Sequence, residues 1–143
     1  ANGSVLIADI TTHEYIGNKY ILTYTDTNGV FNSRRIQYSN PDETISKTED
    51  INLIEINGKV DTAKVVREIS YNGKREQSMD KTMSYKAGRI QETVVTDYVA
   101  KETKGYNSDG KLFYELKNNK ARKYDFETNS WSEWKELVYC PIN

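Results

Sequence analysis

Residues 57–90 read NGKVDTAKVVREISYNGKREQSMDKTMSYKAGRI, and the fold follows from this stretch. Asn57-Gly58 and Asn72-Gly73 are dipeptides that accept positive φ at the centre of a two-residue hairpin turn. Lys86-Ala87-Gly88 reads as a slightly longer hairpin loop. Gly58, Gly73 and Gly88 fall 15 residues apart, and each precedes a basic residue, Lys59, Lys74 or Arg89. The residues before the turns repeat as well, Ile69-Ser70-Tyr71 in one case and Met83-Ser84-Tyr85 in the other. Because hairpin loops take roughly 2–5 residues, this period predicts strands of about 10–12 residues joined by tight turns. Solenoid and propeller repeats are longer, roughly 20–50 residues, so the periodicity is that of hairpins.

The same punctuation continues on both sides. Asn28-Gly29, Asp109-Gly110 and Asn118-Asn119 read as further turns. Strands are expected near 19–27, 30–38, 49–56, 59–71, 74–85, 89–103, 111–117, 121–127 and 131–139. Thr11-Thr12-His13-Glu14 has the spacing of a capping box, which predicts a short helical turn before the first long strand. Asn40-Pro41-Asp42-Glu43 looks like a helix start, but the Thr and Ile residues that follow form helices poorly, so that helix is short or absent. The expectation is an all-β, antiparallel up-and-down meander, one domain over residues 1–143, closing into an 8–10-stranded barrel. Closure would remove both aggregation-prone edges of a long sheet. A two-sheet β-sandwich is the alternative.

Composition fits a sheet and excludes several functions. The chain has 143 residues, a length at which folding buries about 68–70% of the extended-chain surface. The hydrophobic share is 36% and the mean hydropathy is −0.80, low for a globular domain. With 11 Tyr and a net charge of −1, the signature of disorder is nevertheless absent. Twenty basic and 21 acidic residues are interspersed, which leaves no strong field for nucleic acid or an anionic membrane. The densest basic stretch, Lys117 to Lys123, lies beside Asp125 and Glu127 and reads as a solvated turn. No apolar run approaches the roughly 18 residues of a membrane span. Cys140 has no second Cys to pair with, so an internal disulfide or a Cys-based zinc cage cannot form. It reads as a strand residue, with an intermolecular disulfide as the alternative.

His13 is the only histidine, and a surface or capping role is expected for it. No metal site and no cofactor is expected. Phosphate-binding Gly loops, Gly-x-Ser-x-Gly elbows and His-Glu-x-x-His patterns are absent, and no catalytic residue is assigned. The sequence given begins at Ala1, and Asn2-Gly3-Ser4 matches the acceptor pattern for N-glycosylation; together they lead us to expect a secreted or periplasmic protein.

Alternation assigns faces and raises a question. Apolar stripes on the central strands are repeatedly interrupted: Arg34 falls with Ile36 and Tyr38, Arg67 with Val65 and Ile69, Gln77 and Lys81 with Met79 and Met83, and Glu92 with Ile90 and Val94. An unpaired charge in a packed core is costly. One reading makes these residues the wall of a ligand cavity. Arg34, Arg67, Gln77, Lys81 and Glu92 would orient a ligand bearing an acidic or polar group, and Tyr20, Tyr71, Tyr85 and Tyr98 would form amphipathic walls. The other reading has bulges or splayed strand ends shifting the register, which sends these side chains to solvent, or has Arg67 and Glu92 pairing with each other.

Three likenesses are visible. Tyr124, Asp125, Thr128 and Trp131 are placed as in the outer hairpin of a kelch repeat, which this stretch resembles without that repeat's paired glycines. Trp131-Ser132-Glu133-Trp134 resembles the start of the Trp-Ser-x-Trp-Ser box of cytokine receptors, with Lys135 in place of the last Ser. In a regular strand Trp131 and Trp134 face opposite ways, so at least one is expected at the surface, where it could stack on a sugar or meet a partner. In outline the chain is similar to the lipocalin and fatty-acid-binding calycins. Their Gly-x-Trp signature would fall near Gly17-Asn18-Lys19-Tyr20, where Tyr20 is one place late and is not Trp.

The function expected first is therefore a non-enzymatic binding protein holding a small amphipathic or acidic ligand inside a barrel. The second is an exported interaction or inhibitor protein acting through its outer surface and loops, with a protein partner or a homodimer. A small barrel enzyme is the third and weakest.

Overall fold

The structure, a computed structural model, describes residues 10–26 and 31–138. Its β-branched and aromatic segments form twelve strands and, among the described residues, no helix. They are β1 (Ile10–Ile16), β2 (Lys19–Thr25), β3 (Phe31–Ser39), β4 (Ile45–Ile56), β5 (Lys59–Tyr71), β6 (Gln77–Lys86), β7 (Arg89–Asp97), β8 (Glu102–Tyr106), β9 (Leu112–Lys117), β10 (Lys120–Asp125), β11 (Ser130–Trp131) and β12 (Lys135–Glu136). Each of β1 to β11 is antiparallel to the next in one continuous ladder, and β12 lies beside β10 on the same edge as β11.

The antiparallel meander is as expected, but the sheet is not closed. Among the described residues β1 pairs only with β2, and β11 and β12 pair only with β10, so the expected barrel is not shown. Closure needs two long outer strands to meet in a staggered register. Here the C-terminal edge consists of two-residue pieces separated by residues 132–134.

Turn chemistry explains where the expected strand limits move. Asn57-Gly58, Ala87-Gly88 and Asn118-Asn119 all have positive φ at both residues and form two-residue hairpins. Asn72-Gly73 and Asp109-Gly110 do not form such turns. Asn72-Gly73 begins and Asp109-Gly110 ends a three-residue loop, in which Arg75 (φ 63°) and Gly110 (φ 75°) respectively occupy the left-handed position. The leading Asn organises each loop. Asn72 Oδ1 accepts from the amides of Lys74 (2.9 Å) and Glu76 (3.0 Å), and Asn107 Oδ1 from Asp109 (3.0 Å) and Lys111 (2.9 Å). Asn40 to Thr44 is a third such loop, with Glu43 at φ 69°, so the helix start considered there is a hairpin instead.

The Thr11–Glu14 segment is also strand. His13 and Glu14 pair with Leu22 and Ile21, because alternating β-branched residues across a Gly17-Asn18 turn outweigh the capping spacing. The expected strand 89–103 is divided into β7 and β8. Asp97 Oδ1 accepts from the amides of Val99 and Ala100, both at 2.9 Å, and turns the chain.

Directly paired residues share a face, so the register defines two faces. One carries Val66 and the other Ile69, on the middle strand β5. Val66 at 5% and Ile69 at 8% exposure are the buried apolar residues among those described, joined by Asp80 at 9%. The remaining side chains on both faces are half-buried or exposed. A sheet wet on both sides accounts for the low mean hydropathy directly. No helix is long and apolar enough to cross a membrane among the described residues, which says nothing of β-barrels.

Candidate functional surface

The C-terminal edge carries the most organised side-chain cluster. Trp131 lies opposite Tyr124 and Lys135 opposite Ala121, so residues 132–134 face only Arg122 and Lys123. That extra residue is a β-bulge, and a bulge re-aims side chains. Ser132 anchors it: its amide donates to Lys123 O at 2.8 Å, and its Oγ accepts from the Lys123 amide at 3.0 Å. The two indoles therefore do not face opposite ways as in a regular strand. The Arg122 guanidinium carbon lies 4.4 Å from the Trp131 ring centre and 4.8 Å from that of Trp134. Arg122 Nε donates to Glu115 Oε2 at 2.7 Å from the neighbouring strand, which fixes the guanidinium. Tyr124 packs edge-on against both Trp131 (5.5 Å) and Phe126 (4.9 Å). Trp134 keeps 41% of its surface exposed, and Phe126 is exposed as well.

Beside this cluster runs an open groove of about 250 Å³, lined by Glu102, Lys104, Glu115, Lys117, Arg122 and Trp134 among others. Glu102 serves two lysines, Lys117 at 2.5 Å and Lys104 at 3.7 Å. The Lys117 hydrogen bond is the main cause that holds the Glu102 carboxyl below its usual range, and the same contact raises Lys117.

A second cluster lies on the Ile69 face. Asp80 is opposite Ile69, and Arg67, one pleat away opposite Thr82, reaches it diagonally. Arg67 Nε donates to Asp80 Oδ2 at 2.6 Å, and Thr82 Oγ1 donates to Oδ1 at 3.3 Å. The Asp80 hydrogen bond is the leading cause that raises Arg67, and the neighbouring Tyr98 adds to it. Arg67 pairs with Asp80 and not with Glu92.

The register distributes the candidate ligand-binding residues over both faces. Arg34, Lys81 and Tyr85 share the Val66 face, whereas Tyr20, Arg67 and Glu92 are on the Ile69 face. Tyr71 and Gln77 pair with each other beyond a bulge at the strand end, and Tyr98 sits in the β7–β8 turn. Apart from Tyr71 and Gln77, only Arg67 and Tyr98 are brought together among the described residues. Elsewhere, Arg34 Nε donates to Thr23 Oγ1 (3.2 Å), Tyr71 OH donates to Ile45 O (2.8 Å) and Lys64 Nζ lies 5.2 Å from the Tyr85 ring centre. Lys81 stands between Glu68 and Val95, and Glu92 opposite Ser84. Tyr20 is 2.6 Å from His13 Nδ1 and packs on Tyr15 at 4.8 Å.

The larger grooves are open. One of about 440 Å³ includes Arg34, a second of about 440 Å³ includes Tyr20, and one of about 530 Å³ includes Tyr98. None of these grooves gathers several of the five polar candidates. Among the described residues no group of three His, Cys, Asp or Glu side chains is placed to hold a metal ion. Cys140 lies outside the described residues.

Asp80 and the Arg122 sandwich were not among the sequence candidates. Asp80 alternates away from Met79 and Lys81, but only the register of β5 with β6 places it on the Ile69 face. The sandwich depends on a bulge that residue order alone does not announce. No protein-family model, no curated protein and no solved structure matches the chain. The local likenesses to kelch and cytokine-receptor segments thus carry no family assignment.

Proposed function

We propose that this protein is a non-enzymatic binding protein that recognises a macromolecular partner through the outer surface of its sheet. The observation that supports this reading is the C-terminal edge, where a bulge gathers Arg122, Trp131, Trp134, Tyr124 and Phe126 into an aromatic–cationic cluster with Trp134 and Phe126 exposed. Exposed aromatics beside ordered arginine are the anchors that binding surfaces favour. The reading includes an exported location, supported by the Asn2-Gly3-Ser4 pattern of the sequence.

A small ligand inside a closed barrel has less support, because it needs an enclosed interior and a shared wall for the polar candidates. Native mass spectrometry of protein purified from its own source tests the choice. The expected result is a retained macromolecule that is lost when Trp134 and Phe126 are both replaced by Ala. A monomer carrying a tightly held small molecule, unaffected by those changes, would overturn the proposal.

A further inference from the structure

We infer that the groove beside Trp134 is a binding site for an acidic saccharide, a sugar unit bearing a carboxylate. This inference rests on the surface-binding reading above and names the chemistry of the partner.

Three features of the groove carry it. The first is an open aromatic platform. Arg122 covers one side of Trp134 at 4.8 Å, yet 41% of the residue remains accessible, so indole surface is left for a ligand. A flat indole suits the apolar C–H face of a pyranose ring, and an ordered arginine behind it keeps the platform from rotating. The second is a rim of charged side chains already held by one another. Glu102 is shared between Lys104 and Lys117, and Glu115 is bonded to Arg122. Each lysine retains N–H groups beyond those contacts, since an ammonium has three donors. Such a rim offers donors and acceptors to ring hydroxyls without the cost of first ordering them.

The third is charge. Lys104, Lys117 and Arg122 against Glu102 and Glu115 leave one positive charge in excess, within a chain whose net charge is −1. A single carboxylate on the ligand balances the groove. Its size, about 250 Å³, lies below the usual range for drug-sized ligands and suits one sugar unit, and its open side lets a longer saccharide continue along the sheet. The groove lacks the deep apolar pocket that an anchoring protein side chain would fill.

The experiment titrates the full chain with a uronic-acid oligomer and with an uncharged hexose oligomer of equal length, followed by calorimetry and tryptophan emission. The expected result is binding of the uronic-acid oligomer, weakened at least tenfold in Trp134→Ala and several-fold in Lys117→Gln, with affinity falling as salt rises. Circular dichroism and a retained cooperative denaturant transition check that both variants fold. Binding of the neutral oligomer equally well would overturn the acidic assignment. No binding of either oligomer, or binding retained in both variants, would overturn the site. In those cases a partner still captured in native mass spectra would leave the surface-binding reading standing, so the two failures are separable.

Discussion

Removing the Arg67 side chain should destabilise the protein by leaving the buried Asp80 carboxylate without its main partner. Asp80 is 9% exposed and its Oδ2 accepts from Arg67, leaving only the Thr82 hydroxyl at 3.3 Å as a second partner. Arg67→Met keeps the aliphatic stem and strips the donors, which leaves a half-satisfied carboxylate in the middle of the ladder. A hydrogen bond to a charged group is worth about 1.5–3 kcal/mol, and breaking a fully buried pair costs about 3–5 kcal/mol. Arg67 keeps 41% of its side chain exposed, so water replaces part of the lost guanidinium, and exposed pairs contribute only about 0–1 kcal/mol. The expected cost is thus about 1.5 kcal/mol, the lower end of the charged range, or a fall in Tm of about 5 °C for a chain of this size. Asp80→Leu, which removes the demand for a partner, should cost less than Arg67→Met. Arg67→Met in the Asp80→Leu background should then be nearly silent. Urea midpoints for the four proteins of this cycle give the coupling. A coupling energy below about 0.3 kcal/mol would refute the reasoning, because non-interacting sites add within that margin.

Other positions give equally definite expectations. Gly105 is buried, and a Cβ there would meet Tyr114 Cβ at 3.1 Å and Phe113 Cε1 at 3.3 Å; Gly105→Ala should cost about 1–3 kcal/mol by urea unfolding. Gly110 sits at φ 75°, so Gly110→Ala should cost about 1 kcal/mol, whereas Arg75→Gly at φ 63° should be neutral or slightly stabilising. Arg122→Gln removes two ring contacts and the bond to Glu115, and tryptophan emission should shift to the red with a loss of about 1–2 kcal/mol. Asp42, Glu102 and Asp125 are held below their usual range, chiefly by the Thr44 hydroxyl, Lys117 and the Glu127 amide respectively. A depressed folded-state pKa contributes stability above the unfolded value, which is lost as pH falls through the folded one. Thermal unfolding should therefore show stability falling from about pH 4 downward, more shallowly in Asp125→Asn.

The repeated Asn-Gly and Ala-Gly turns made the meander readable because a two-residue hairpin demands positive φ, and few residues supply it. Loop type was harder to read. Asn-Gly at 72–73 and Asn-Gly at 57–58 look alike, yet only the first has an Asn side chain that gathers the amides of Lys74 and Glu76, moving the left-handed position on to Arg75. Face assignment held along the regular stretches of a strand and failed at bulges and between strands: Met79 pairs with Ser70 but Gln77 with Tyr71, and Glu92 pairs with Ser84 but Ile90 with Tyr85. Arg34 and Arg67 each interrupt an apolar stripe, but those stripes lie on opposite sides of the sheet, because pairing register is set by turn length. The Trp131 and Trp134 arrangement was out of reach for a different reason. A bulge is a one-residue excess of one strand over its partner, and it can be recognised only when the partner's register is known.

Amide hydrogen exchange, followed residue by residue at micromolar concentration, tests the open sheet most directly. The outer edge of β1 and that of the β11–β12 segment have no ladder partner among the described residues. Alternate amides of β1, those not bonded to β2, should exchange at nearly unprotected rates, while amides around Val66 and Ile69 on β5 exchange slowest. Protection of every β1 amide to the level of β5, matched by protection along Ser130 to Glu136, would mean that the two edges meet, and would contradict an open sheet that binds through its outer surface.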